Sequence, residues 1–165
     1  MNDPSIPAVK PARILTFHPT VEWTGNQGTG TSGYGAYSRA HTVSAPGKEP
    51  LAGSSDPLFR GDPTSWSPEE LLVAALSACH MLWYLHLCAD AGVVVTAYHD
   101  APEGKMPLAS GGRGAFSEVI LRPRVRLAPG SDVRQAEAIH QAAHQACFIA
   151  ASVNFPVGCE PTVEL

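Results

Sequence analysis

Apolar and polar positions follow two periods along this chain, and the switches between them mark its elements. The stretch ILTFHPTVEWTG reads as a strand, with Val21 and Trp23 alternating against Glu22. The cluster NQGTGTSG turns the chain, and YGAYSRAHTVSA is β-prone and predicts a second, antiparallel strand. Residues 46–66 are rich in Gly, Pro, Ser and Asp, and a loop of that length in a compact domain is often functional.

The period then lengthens. Leu72, Ala75, Leu76, Cys79, Leu82, Trp83 and His86 recur at three/four spacing and predict a long helix. Ser67 is its N-cap, Pro68 suits the first helical position, and Glu70 completes a capping box. Gly92 stops it. VVVTAYHD is a strand. FSEVILRPRVRLA is another, with Val119, Leu121, Val125 and Leu127 on one face and Arg122, Arg124 and Arg126 on the other. Ser131 is expected to cap a second long helix reaching about Ala151, and PTVEL closes the chain as a strand. The order β-β-α-β-β-α-β predicts an α+β fold with hairpins rather than a doubly wound sheet. Residues 1–11 hold three prolines and are expected to form a flexible tail, followed by a single domain over 12–165.

Composition narrows the function classes. The chain has 165 residues, 44% hydrophobic and 16% charged, with a formal net charge of −4. No basic stripe is present, which argues against a nucleic-acid binder. No apolar run is expected to span a membrane, and MNDPSIPAVKPAR lacks the apolar centre of a signal peptide, so the expected location is cytoplasmic. Four cysteines without a CxxC pair do not suggest a zinc ribbon or a disulfide framework.

Two of those cysteines fall within the predicted helices. Cys79 lies in the first and Cys147 in the second, both among small or apolar residues. This leaves redox chemistry, metal binding and plain packing open. If the two helices pack side by side, a disulfide between them is geometrically possible. A competing constellation is metal: His140 and His144 are four apart on one helix and Cys147 follows three later, with His80 and His86 as further ligands. No carboxylate accompanies the histidine pair as in zinc hydrolases. Trp66, Trp83 and Tyr84 suit either an apolar pocket or ordinary packing.

The segment Pro68-Glu69-Glu70-Leu71-Leu72, then Ala74-Ala75, then Ala78-Cys79, resembles the peroxidatic helix of the OsmC/Ohr family of thiol peroxidases. In that family the cysteine stands ten positions after the first Glu, as Cys79 stands after Glu69. The likeness covers about residues 12–165 and lies closer to the OsmC side, because Arg60 stands eight residues before Pro68. It implies an OsmC-like fold: antiparallel sheets, two long central helices and an intertwined homodimer.

The resemblance also implies the chemistry. Cys79 is the nucleophile and Cys147 the resolving thiol of an intrachain disulfide. Hydroperoxides, organic or inorganic, are the substrates, and a small dithiol such as a dihydrolipoyl group is the reductant. No metal or flavin is implied. Arg60 favours the thiolate, with Arg39 as runner-up, and Glu69 holds the Arg fork. Ten residues of helix rise about 15 Å, so Glu69 cannot reach Cys79 of its own helix and must come from a second subunit. The chain departs from the family at Ser67, which replaces the opening Asn, and at Phe148, where Pro usually follows the second cysteine. Cys88 and Cys159 are read as packing residues. A second alternative is an OsmC-like dimer that binds an apolar ligand without turnover.

Overall fold

The capping box written in Ser67 and Glu70 forms as the sequence directs. The Ser67 backbone N–H donates to Glu70 Oε2 at 2.8 Å, and the Glu70 N–H donates to Ser67 Oγ at 3.2 Å. From it runs helix α1, Pro68–Asp90. Gly92, at φ +72°, takes the left-handed conformation that ends the helix at little steric cost. These features come from a computed structural model that describes residues 13–165; the expected tail over 1–11 lies outside the described residues.

The chain divides into two units, one ending at Trp66 and one running from Ser67 to Leu165. The N-terminal unit carries an antiparallel sheet of β1 (Thr20–Trp23), β2 (His41–Ser44) and β3 (Leu51–Gly53), in that order. Its strands are much shorter than the β-prone sequence around them. A single 3-10 turn at Pro57–Phe59 follows, with Asp56 Oδ1 accepting from the Leu58 N–H at 2.7 Å.

The C-terminal unit places α1 beside α2 (Val133–Ala146). The remaining strands are β4 (Val95–Asp100), β5 (Glu103–Lys105), β6 (Glu118–Leu121), β7 (Pro123–Leu127), β8 (Val157–Cys159) and β9 (Thr162–Glu164). They form two sheets, ordered β4-β7-β9 and β5-β6-β8. The alternation read from the sequence holds: Val119, Leu121, Pro123, Val125 and Leu127 face inward, while Arg124 and Arg126 are exposed. Arg122 divides the ribbon into β6 and β7 and pairs with Glu103 at 2.8 Å and Glu160 at 3.1 Å.

Three expectations need correction. The two sheets of the C-terminal unit are mixed rather than antiparallel throughout, because β6–β8 and β7–β9 are parallel pairs. The second helix is capped by Asp132 rather than Ser131 and ends at Ala146 rather than near Ala151. Cys147 is therefore not inside a helix but its extended C-cap residue, at φ −69° and ψ 109°. Ile149, Ala150, Val153 and Phe155 pack on the cluster of Leu76, Val119 and Leu121, and this tertiary packing overrides the helical pattern of the sequence. Finally, α1 is long and apolar enough, by length and composition, to cross a membrane, contrary to the expected absence of such a run.

The second buried cluster joins Tyr84, Cys88, Val93, Val125, Leu127, Ala136 and Ala143. Ala136 and Ala143 give α2 a small-residue face, which lets the two helices approach closely. Each fully buried leucine of these cores contributes about 1.5–3 kcal/mol. On α1 the buried residues are Leu76, His80, Tyr84 and Cys88, a single stripe at spacing four. Leu82, on another face of the same helix, is 63% exposed.

Candidate active site

The stripe spacing of α1 decides where its reactive residues point. Cys79 and His80 are neighbours in sequence and diverge by about 100° around the helix. Cys79 is partly exposed and directed to Cys147, whereas His80 is fully buried in the stripe.

Cys147 is 2% exposed. Desolvation pushes its thiol up to about 11, and the neighbouring Cys79 thiol adds to the shift. The Ala150 N–H, 3.4 Å from Cys147 Sγ, acts in the opposite direction. The helix end is what permits this arrangement. Because Cys147 leaves the helix, the Ala150 amide can point back at its sulfur. Beside the thiol pair, the ring of Trp83, one helical turn beyond Cys79, meets Phe148 edge-on at 5.4 Å. Leu82, Trp83 and His86 line an open cavity of about 180 Å³. Of the three aromatics named from sequence, Trp83 stands here. Tyr84 instead stacks on His140 at 3.9 Å in the core, and Trp66 belongs to the N-terminal unit.

The two acids at the start of α1 have different surroundings. Glu70 is committed to the capping box. Glu69 has no hydrogen-bond or ion-pair partner among the described residues and is partly buried. The two arginines differ as well. Arg39 is locked in place: its guanidinium lies 4.3 Å from the ring centroids of both Tyr34 and Tyr37 and donates to the Tyr37 and Tyr34 carbonyls at 2.7 and 2.9 Å. Arg60 is exposed, lies against Gly35, and makes no ion pair among the described residues. It is also the one non-glycine residue with positive φ among those described, at 68°. Such a conformation costs of order 1 kcal/mol and recurs at functional loops. Gly61 beside it has no room for a Cβ, which would fall 1.5 Å from the Ser55 carbonyl oxygen. Arg60 and Arg39 belong to the N-terminal unit, and the thiols to the C-terminal one.

The metal set His140, His144 and Cys147 is not brought together. Cys147 turns to Cys79, and His140 turns into the core. The cluster that does form is His80, His140 and Cys159, whose ligand atoms all lie within 4.8 Å of one another. His80 Nε2 and His140 Nδ1 are 3.0 Å apart, and Cys159 Sγ is 3.6 Å from His80 Nε2. Burial holds the His140 pKa down at about 4, with His80 adding to the shift, and lowers that of His80 too. Sequence reasoning set Cys159 aside because no local motif contains it. Its position follows from the parallel pairing of β8 with β6, where Cys159 stands opposite Leu121.

The Cys79 thiol of α1 and the Cys147 thiol at the end of α2 are thus brought together on a mixed α+β scaffold. The comparisons give the family. A model of the OsmC-like protein family matches residues 61–161, and the chain belongs to that family. Among solved structures it is similar to an OsmC-like protein of unknown function from Vibrio cholerae, with 33% identity, a TM-score of 0.81, and coverage of 90% of this chain and 100% of that one. It shares its fold with an organic hydroperoxide resistance protein from Elizabethkingia anophelis (17% identity, TM-score 0.64, 92% of this chain and 97% of that one). The fold is also that of the organic hydroperoxide resistance protein OsmC from Legionella pneumophila (16% identity, TM-score 0.63, 93% and 100% covered). No curated protein matches the chain.

Proposed function

We propose that this protein is a thiol-dependent peroxidase that reduces hydroperoxides through Cys79 and Cys147. The observation that carries the reading is the adjacency of these two thiols in unequal environments. Cys147 is buried with a pKa near 11, so it is a poor first nucleophile; Cys79 is the more accessible of the pair. Membership of the OsmC-like family, and the fold shared with organic hydroperoxide resistance proteins, support the same reading.

In the first step the Cys79 thiolate attacks the terminal peroxide oxygen. The O–O bond breaks, the terminal oxygen stays on Cys79 as a sulfenic acid, and the alkoxide takes up the proton that the thiol had released and leaves as an alcohol. In the second step Cys147 attacks the Cys79 sulfur, the S–O bond breaks, and water leaves as the disulfide forms. A dithiol then reduces the disulfide by exchange and is itself oxidised. Trp83 and Phe148 supply an apolar wall suited to an alkyl group on the peroxide. Arg60, strained and without an ion pair among the described residues, is the candidate to stabilise the thiolate, and Glu69, without a partner among those residues, is the candidate to hold that arginine.

The working unit in this proposal is a homodimer. The exposed apolar side of α1 gives it an interface, and the roughly 15 Å rise from Glu69 to Cys79 requires the acid of one subunit to serve the thiol of the other. Co-expression of Glu69→Ala and Cys79→Ser chains tests this. Half the dimers are mixed and each holds one complete site, so about one quarter of the wild-type peroxide consumption returns with a dihydrolipoyl reductant. A mixture that stays inactive although mixed dimers are present rejects the shared site.

A further inference from the structure

His80, His140 and Cys159 form a second cluster that the peroxide chemistry leaves unused. We propose that it is a binding site for one zinc-class divalent ion, with His80 Nε2, His140 Nδ1 and Cys159 Sγ as its three ligands and a fourth position left open.

The spacing fits the ion. With Zn–N near 2.0–2.1 Å and Zn–S near 2.3 Å, a tetrahedral centre sets its nitrogens about 3.3 Å apart and nitrogen and sulfur about 3.6 Å apart. The corresponding distances here are 3.0 Å and 3.6 Å. Two imidazole nitrogens and one sulfur are also a donor set that selects zinc-like ions over hard cations. The three residues come from three elements, α1, α2 and β8, so packing of the whole unit preorganises them. The two imidazole planes lie within 5° of each other, with the facing nitrogens sharing one proton. Binding replaces that hydrogen bond. The shared proton moves to an outer ring nitrogen, each ring turns by roughly 35° so that both lone pairs meet at the tetrahedral centre, and the Cys159 proton leaves to solvent as the sulfur–metal bond forms.

A further observation favours a cation. Asp100 is a charge neighbour of both His80 and Cys159. Its carboxylate is held by the Arg122 N–H, at 2.7 Å, and by Ser77, so it stands as a fixed outer anion favouring a cation.

The test uses the full chain, stripped of metal and titrated with Co²⁺ as a spectroscopic stand-in and then with Zn²⁺ as competitor. The wild type and a Cys79→Ser/Cys147→Ser double variant should each bind one ion per chain, with a sulfur-to-cobalt charge-transfer band that zinc abolishes. Adding Cys159→Ser to the double variant should remove the band and weaken binding by about tenfold or more. A band that is lost in the double variant would place the ion on the redox thiols and overturn the proposal. So would a band that survives Cys159→Ser, or a wild type that takes up neither ion at micromolar concentration.

Discussion

Cys79 and His80 occupy consecutive positions on one helix and live in opposite surroundings. The thiol looks out to a second thiol at the C-terminal end of α2, beside the Trp83–Phe148 edge. The imidazole looks inward to a second imidazole and a third sulfur, sealed by Tyr84. One residue of helical rotation separates a region that substrate can reach from a region it cannot. Reactivity here is set by which way each side chain leaves the helix, not by which residue types lie near one another in sequence. The two proposals made above divide along the same line: peroxide reduction requires an accessible thiol with a second sulfur beside it, while a metal site requires fixed, dry ligands from several elements.

The sharpest way to break this contrast is to remove one sulfur from each side. Cys79→Ser should abolish peroxide turnover with a dithiol reductant. Cys88→Ala, on the buried stripe, should keep turnover and instead lower the unfolding midpoint in urea, with a loss of about 1 kcal/mol. If the two variants change places in these assays, the outward and inward assignments are reversed.

The next contrast lies within the thiol pair. With a pKa near 11, Cys147 exposes about one part in a thousand as thiolate at pH 8, and that fraction rises tenfold per pH unit until it nears 11. Alkylation of the reduced native protein, followed by peptide mass spectrometry, should therefore mark Cys79 first at pH 8. Labelling of Cys147 should climb steadily up to pH 10. Equal labelling of both at pH 8 would remove the asymmetry on which their roles rest.

A smaller effect separates the two arginines. If Arg60 has the proposed role, Arg60→Ala should slow alkylation and peroxide oxidation of Cys79 by roughly tenfold, the effect of losing a thiolate-stabilising cation worth about one pKa unit. Arg60→Lys should restore part of this, because an ammonium keeps the charge without the fork. Arg39→Ala, by contrast, removes stacking on Tyr34 and Tyr37 worth about 0.5–1 kcal/mol per ring and should register chiefly in stability. Slower oxidation from Arg39→Ala alone would exchange the two roles.

How far the sequence carries the reader depends on the range of the forces involved. The bounds of helix α1 were legible, because its cap and its Gly92 stop are local, but its packed face was not: of Leu72, Ala75, Leu76, Cys79, Leu82, Trp83 and His86 only Leu76 is buried, and His80, Tyr84 and Cys88 complete the stripe. The inward face of β6 and β7 was legible because its alternation is likewise local. The end of α2 was not: QACFIAAS continues a helical pattern and holds no Gly or Pro, and the turn at Cys147 arises because Ile149 and Ala150 pack on Leu76, Val119 and Leu121. The parallel partners of β6 and β7 were likewise hidden, since pairing of that kind links segments far apart in the chain. Cys159 reaches His80 only through that pairing, across 79 residues. That Cys79 and Cys147 act together is an expectation from family likeness, whereas the split between Glu69 and Glu70 emerges only from hydrogen bonds.

The central claim is that Cys79 and Cys147 form one redox couple, and disulfide mapping tests it most directly. One equivalent of cumene hydroperoxide is added to the reduced wild-type protein, free thiols are blocked, and non-reduced peptides are analysed by mass spectrometry. The major product should be a Cys79–Cys147 bond within a single chain, with Cys88 and Cys159 recovered as blocked thiols. A major bond that includes Cys88 or Cys159, or a Cys79 that goes to sulfinic acid without pairing while Cys147 stays free, would contradict it.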